Sequence, residues 1–286
     1  MPRIEPMDTS SKGLEDVAKF LREVFPQARY LDAEFLNWLY MQCPMEPRVL
    51  LNAYDRENLI GHMAFLPYPA NVQGKKDLGV LGVHLAAPRR PGLSRSPAVE
   101  LYTEGMKQSR LAGANFLCGV TNARSSRFTK RAFPLFEEVG PLAARIGILA
   151  PNLSRSTREV SFDRIWNNES LAWRLARPGR PYRLERSRGG FRVHGPTHRA
   201  GIKVEMGYFP TDLVPPDLPD VHRPHPLRLW LGLEPRVNWS RSLYLPIPQR
   251  FRPSPLVFMF LDLTDQGRVL GDASRVRIRA LDFDAF

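Results

Sequence analysis

From Leu78 to Ala87 the sequence is almost continuously apolar, and Pro88 ends the run. An apolar run of this kind, closed by a turn residue, predicts a strand buried on both faces. A basic, glycine-containing stretch follows from Arg89 to Ser96, and then a helical pattern from Pro97 to Leu111, with Pro97 suited to the first turn. Gly113 closes that helix, and Asn115 to Val120 predicts a second buried strand.

The surrounding pattern is consistent with this. Leu14, Val17, Ala18, Leu21, Val24 and Phe25 recur at helical spacing, predicting a helix over 14–25. A second helix is predicted over 32–41, with Asp32 as N-cap. Arg48 to Tyr54 and Leu59 to Leu66 predict strands around the polar turn 55–58. A short helix over 125–132 and a strand or strand pair over 139–149 complete the first half. This mixed order fits an α/β (α+β) sheet covered by helices.

At 286 residues the chain is long enough for two domains. The second half holds many of the 27 prolines and few helical signals. Strands are predicted at 182–185, 190–194, 201–209, 227–232 and 256–263. One echo organises it: Glu34-Phe35-Leu36-Asn37-Trp38 matches Glu169-Ser170-Leu171-Ala172-Trp173 as Glu-x-Leu-x-Trp. A proline, a strand, a turn and a strand follow each copy. The expected division is 1–150 and 151–286, with the boundary near 150–156. Both glutamates read as helix-surface residues, and Trp38 and Trp173 as core residues.

The net charge of +12 attracts polyanions: nucleic acid, a membrane face, a nucleotide-like ligand or an acidic carrier protein. Nucleic acid is disfavoured, because the basic residues are spread out and no nucleic-acid motif is present. No apolar run approaches the roughly 20 residues that span a bilayer. No secretory signal is evident at the start. Cys43 and Cys118 stand alone, as in a reduced cytoplasmic protein, and no His/Cys cluster has metal spacing. His194, His198, His222 and His225 fit no ligand frame.

Phosphate binding needs backbone amides at a helix N-terminus and a small residue for close approach. The segment Arg89-Arg90-Pro91-Gly92-Leu93-Ser94-Arg95 supplies both, and its arginines add charge-assisted donors. Within the preceding strand, Val80, Gly82, His84 and Ala86 are expected on one face. His84 is the best side-chain base in the sequence; its bland alternative is a buried histidine bonded to a backbone carbonyl.

This segment resembles motif A of the GNAT acyltransferases, whose loop reads Gln/Arg-x-x-Gly-x-Gly/Ala. Arg89-x-x-Gly92-x-Ser94 matches at two of three positions, with Ser94 departing. Thr121-Asn122 and Lys130-Arg131-Ala132-Phe133 resemble the family's following strand end and its Lys-x-Gly-Phe. Phe35-Leu36-Asn37-Trp38 with Cys43-Pro44, Arg252 to Leu256, and Leu281 to Asp284 resemble a subgroup associated with polysaccharide and amino-sugar modification. The resemblance implies a GNAT fold with a second, degenerate GNAT-like half shaping the acceptor site.

It further implies an N-acyltransferase using acetyl-CoA or another acyl-CoA, with no metal and a small-molecule amine as acceptor. The donor would sit between the central strand and its parallel neighbour. Leu85, Ala86 and Ala87 would bond the pantetheine arm, Arg89, Arg90, Gly92, Leu93, Ser94 and Arg95 would hold the pyrophosphate, and Asn122 would assist. Where the family carries a tyrosine acid this chain has Phe128, leaving Tyr102, Tyr68 or no acid at all. Two alternatives remain: an acyl-carrier protein as donor, and a non-catalytic binding protein.

Overall fold

Ser10 starts α1 (Ser11–Val24) by accepting a hydrogen bond from the Gly13 amide, and Leu14, Val17, Ala18 and Leu21 face inward at helical spacing. Asp32 caps the short α2 (Ala33–Leu36), accepting from the Phe35 amide at 2.8 Å. The chain then widens into a π-helical turn, Asn37–Met41. That turn buries three successive residues, Trp38, Leu39 and Tyr40. The computed structural model describes residues 2–88, 96–153, 159–187, 189–197, 201–214, 217–220, 227–251 and 255–283.

The remaining elements, in chain order, begin with β1 (Arg3–Pro6), β2 (Val49–Asp55), β3 (Asn58–Val72) and β4 (Lys75–Ala86). Then come α3 (Pro97–Leu111), β5 (Phe116–Asn122), α4 (Ala123–Ala132), β6 (Glu137–Pro141) and β7 (Ala143–Ile148). The later part holds β8 (Phe162–Arg164), α5 (Asn168–Leu175), β9 (Arg183–Ser187), β10 (Gly190–Pro196), β11 (Ile202–Pro210) and β12 (Leu227–Gly232). The chain closes with β13 (Tyr244–Pro246), β14 (Leu256–Asp262), β15 (Val276–Arg277) and α6 (Ala280–Phe283).

Two sheets result. The first runs β1-β2-β3-β4-β5-β14-β6, with β8 and β15 attached beyond β3, and the second runs β13-β7-β12-β11-β10-β9. The strands β2-β3-β4-β5-β14-β6 and β9-β10-β11-β12-β7-β13 share one sequence of directions. Each has a single parallel pair at its centre, β4 with β5 and β11 with β12, and antiparallel pairs elsewhere. The two echo motifs also meet. Trp38 and Trp173 stack at 5.3 Å, and each indole N–H donates to the other's backbone carbonyl, at 2.9 and 3.0 Å.

A cut at 150/151 separates neither sheet from the other. β7, from the first half, lies between β12 and β13, and β14, from the second, lies between β5 and β6. Hydrophobicity alone dictates β14: Val257, Met259 and Leu261 face the α3 core, while Phe258 and Phe260 face the opposite one. Both faces are covered, so the strand reads as an unbroken apolar run. The two sheets also differ in one respect. Among the described residues no helix joins β11 to β12, whereas α3 joins β4 to β5.

Phe260 is fully buried and stacks on Phe116 at 5.6 Å. Phe260→Ala should therefore destabilise the first sheet by about 3–5 kcal/mol. Urea denaturation followed by tryptophan fluorescence measures this. A loss below about 1 kcal/mol would mean that β14 is dispensable there.

Candidate active site

β4 and β5 pair in parallel only from Gly79–Phe116 to Leu81–Cys118. Both strands continue past that point, β4 to Ala86 and β5 to Asn122, without pairing to each other. The strands thus part into a wedge that opens toward the C-terminal ends of both, the place where open α/β sheets take ligands. Gly82 and Gly119 face each other at the apex: a Cβ on Gly119 would still lie 3.8 Å from the Gly82 carbonyl oxygen.

The expected single face of Val80, Gly82, His84 and Ala86 is not observed. Ala64 pairs with Val83, but His62 pairs with Ala86, so β4 holds one extra residue. This β-bulge breaks the two-residue alternation. Val80 belongs to the core under α3, whereas Ala86 joins the core under α1 and α2 on the opposite face. His84 sits in the bulge at φ +55°, a left-handed conformation that few residues other than glycine adopt. The bulge carries its ring toward α2, within 6.0 Å of the Phe35 ring.

His84 is half-buried, and one of its partners is the Tyr40 side chain. His84 Nδ1 lies 2.6 Å from the Tyr40 hydroxyl, which lies 3.0 Å from His62 Nε2. His62 Nδ1 lies 2.8 Å from Asn52 Oδ1, and Asn52 Nδ2 donates to the Tyr54 hydroxyl at 3.1 Å. An amide oxygen only accepts, so His62 donates from Nδ1 and accepts at Nε2. Tyr40 then donates to His62, and its oxygen accepts from His84 Nδ1–H. The chain so places a proton on His84 Nδ1. Tyr40, His62 and Asn52 are all buried. Burial, followed by the nearby His84, holds the His62 imidazole down at about 3 from an ordinary 6.5, and burial pushes the Tyr40 phenol up.

Tyr40, His62 and Asn52 were not among the expected site residues. Their one visible signal was polarity inside apolar strands, His62 between Ile60 and Met63 and Asn52 between Leu51 and Ala53.

The other expected residues fall as follows. Leu85 and Ala87 pack toward the α3 core, and Ala86 is buried against α1 and α2. Asn122 stands at the mouth of the wedge and opens α4, its Oδ1 accepting from the Arg124 and Ser125 amides at 3.0 and 2.9 Å. Its side-chain oxygen is thus engaged as a helix cap. Arg89, Arg90, Gly92, Leu93, Ser94 and Arg95 lie outside the described residues, as do His198, His222, His225, Arg252 to Ser254 and Asp284.

Phe128 is a packing residue against the α3 core. Tyr102 and Tyr68 are buried among Phe65, Phe133 and Phe136, and among Phe116 and Phe162, and burial raises both phenols. His194 bonds Glu185 at 2.9 Å, and no metal-holding group of His, Cys, Asp or Glu occurs among the described residues. No described helix is long and apolar enough to cross a membrane.

No protein-family model matches the sequence, and neither does any curated protein. Solved structures do match. A probable N-acyltransferase from Enterococcus faecalis has a TM-score of 0.58 at 10% identity, covering 93% of this chain and 74% of its own. A GCN5-related N-acetyltransferase from Anabaena variabilis has a TM-score of 0.59 at 11% identity, covering 93% and 74%. Saccharomyces cerevisiae N-myristoyltransferase with bound myristoyl-CoA has a TM-score of 0.55 at 11% identity, covering 91% and 82%. None of the three is described as acting on a polysaccharide or an amino sugar. The likeness establishes the GNAT fold for this chain.

The depressed His62 pKa gives a signed pH effect. Below about 6.5 the unfolded chain protonates this imidazole, but the folded one resists until about 3. Stability should therefore fall with pH across that window, by up to about 1.4 kcal/mol per unit from this group. Urea titrations at pH 7.5 and 5.0 should show a loss of about 2 kcal/mol that is absent in His62→Gln. Equal losses in both proteins would count against a buried neutral imidazole.

Proposed function

We propose that this protein is an N-acyltransferase that moves an acyl group from acyl-CoA to the amine of a small-molecule acceptor. The observation that carries this is the β4–β5 wedge with a bulge histidine at its edge. Pantetheine is narrow and amide-bearing, and the wedge offers strand amides and carbonyls that β4 and β5 do not use on each other. The acyltransferase neighbours share this fold, and one of them holds myristoyl-CoA.

Residues 1–150 form the donor half in this reading, with β14 lent to it, and 151–286 the half that shapes the acceptor site. Leu85, Ala86 and Ala87 border the pantetheine arm. The Arg89 to Arg95 segment joins β4 to α3, and Ser96 makes no side-chain cap on that helix. A pyrophosphate there meets helix-end amides and guanidinium groups. This favours CoA over a carrier protein, whose pantetheine ends in a single phosphodiester.

The acceptor amine must be neutral to attack. His84 Nε2 takes one of its protons as nitrogen bonds to the thioester carbon. The carbonyl oxygen gains negative charge and is stabilised by a backbone N–H of the bulge. The C–S bond then breaks and CoA leaves as a thiolate, which the His84 imidazolium or water protonates. Tyr40 keeps His84 in the tautomer that can accept at Nε2. No tyrosine acid is required, because a thiolate is already a good leaving group.

His84→Ala should lower turnover by about 10²–10⁴-fold and remove the acid limb of the pH–rate profile. Melting temperature measured on the same sample separates this from unfolding. A stable variant with near-normal turnover would dismiss His84 as the base. Acetyl-CoA should also bind by calorimetry and weaken in Gly92→Val; unchanged affinity in the folded variant would remove the phosphate-loop assignment.

A further inference from the structure

β12 reads Leu-Arg-Leu-Trp-Leu-Gly, and its burial reverses the usual order. Arg228 and Trp230 are buried, while Leu227, Leu229 and Leu231 are half-buried on the opposite face. A sheet with one wet face ordinarily buries its leucines and exposes its arginines. Here Glu185 holds Arg228 inside at 2.8 Å, and Glu205 pairs with Arg192. Glu185 and Glu205 are the carboxylates that the strands of this sheet carry, and both serve the arginine face.

The leucine face extends across the sheet, because residues opposite one another on neighbouring strands share a face. Leu227 stands opposite Ile202 of β11 and Ile148 of β7, and the Ile148 amide donates to the Leu243 carbonyl at 3.1 Å. In the next row Val204 stands opposite Leu229, Leu229 opposite Ile146, and Ile146 opposite Leu245. Two rows of aliphatic side chains thus cross the sheet to its β13 edge. Val204 and Leu229 join the core under α5. Exposure then rises toward the edge: 43% at Ile148, 64% at Leu243 and 72% at Leu245. Phe251, in the turn after β13, is 69% exposed.

The border of this face is basic. Residues 139–158 and 235–261, which include β7 and β13, contain no aspartate or glutamate. Arg241 and Arg250 are exposed on either side of β13 in the chain, and the Arg250 guanidinium lies 4.9 Å from the centre of the Phe251 ring. Two copies meeting through this face would set arginine against arginine. The complement of the face is an apolar layer bordered by anions. An anionic bilayer has that composition: its acyl region takes protruding aliphatic and aromatic side chains, and its phosphates meet the arginines. Exposure is greatest at the outer edge of the sheet, where side chains enter a soft layer without needing a complementary groove.

We infer that the β12–β7–β13 face docks on an anionic lipid surface, making the protein a peripheral membrane binder. The inference is independent of the acyltransferase reading above.

The test uses sucrose-loaded vesicles. Phosphatidylcholine mixed with an equal part of phosphatidylglycerol should carry the native protein down, and pure phosphatidylcholine should bind it about tenfold or more weakly. A protein of net charge +12 is drawn to any anionic surface, so the variants must separate this face from the general field. Leu243→Asn with Leu245→Asn leaves the charge unchanged and should weaken binding about tenfold. Arg241→Gln with Arg250→Gln should also weaken it about tenfold or more. Lys75→Gln with Lys76→Gln makes the same charge change on the turn between β3 and β4 and should weaken it by about threefold or less. All six side chains are exposed, and melting curves confirm that each variant is folded.

Equal losses from the arginine pair and the lysine pair overturn the inference, since binding then follows net charge alone. No loss from the leucine pair overturns it as well. So does a dimer, seen by light scattering without lipid, that the leucine pair dissociates, because a second copy then covers the face. Failure to bind either vesicle also overturns it and leaves the face to an acidic protein.

Discussion

Neither sheet of this protein can be completed by a continuous piece of chain. β14 fills the gap between β5 and β6, and β7 fills the matching gap between β12 and β13. Each of these strands carries seven or six backbone-paired registers that would otherwise be open edges. The wedge depends on this arrangement. β5 diverges from β4 beyond Cys118, yet it stays a strand because β14 pairs with it along its whole length, from Phe116–Asp262 to Asn122–Leu256. A strand supported on one side only can leave its other side open for a ligand.

The second constraint is the bulge in β4. One inserted residue turns His84 out of the alternation and into contact with α2. A histidine at positive φ costs backbone energy, of order 1–3 kcal/mol for such conformations. The hydrogen bond to Tyr40 and the packing against Phe35 hold it there. Tyr40 in turn is buried because the π-helical turn points three successive side chains inward. A regular helix would point one of three neighbouring side chains elsewhere. The irregularity in the helix and the irregularity in the strand thus meet at one hydroxyl.

Much of the local structure was legible in the sequence. Pro97 to Leu111 is the helix predicted, Asp32 is the cap predicted, and Asn122 opens a helix. Local rules decide these features, since capping and helical spacing act over a few residues. Strand exchange was not legible, because an apolar run such as Leu256 to Leu261 states that it is buried but not by what. The bulge was also invisible: nothing in Val83-His84-Leu85 distinguishes two-residue alternation from its interruption. Tyr40, His62 and Asn52 come from three separate elements, and only tertiary pairing brings them into one hydrogen-bonded chain.

The contact between Trp38 and Trp173 has a further meaning. Each residue gives the other what it receives, a stacked ring and one indole hydrogen bond, at nearly equal distances. Reciprocity of this type belongs to isologous interfaces, where residue i of one copy meets residue i of another across a two-fold axis. Here the two partners belong to a single chain, in copies of one five-residue motif. The pair therefore has the form of a two-fold contact closed within one chain. The symmetry does not reach the crossovers: among the described residues a helix joins β4 to β5 but none joins β11 to β12.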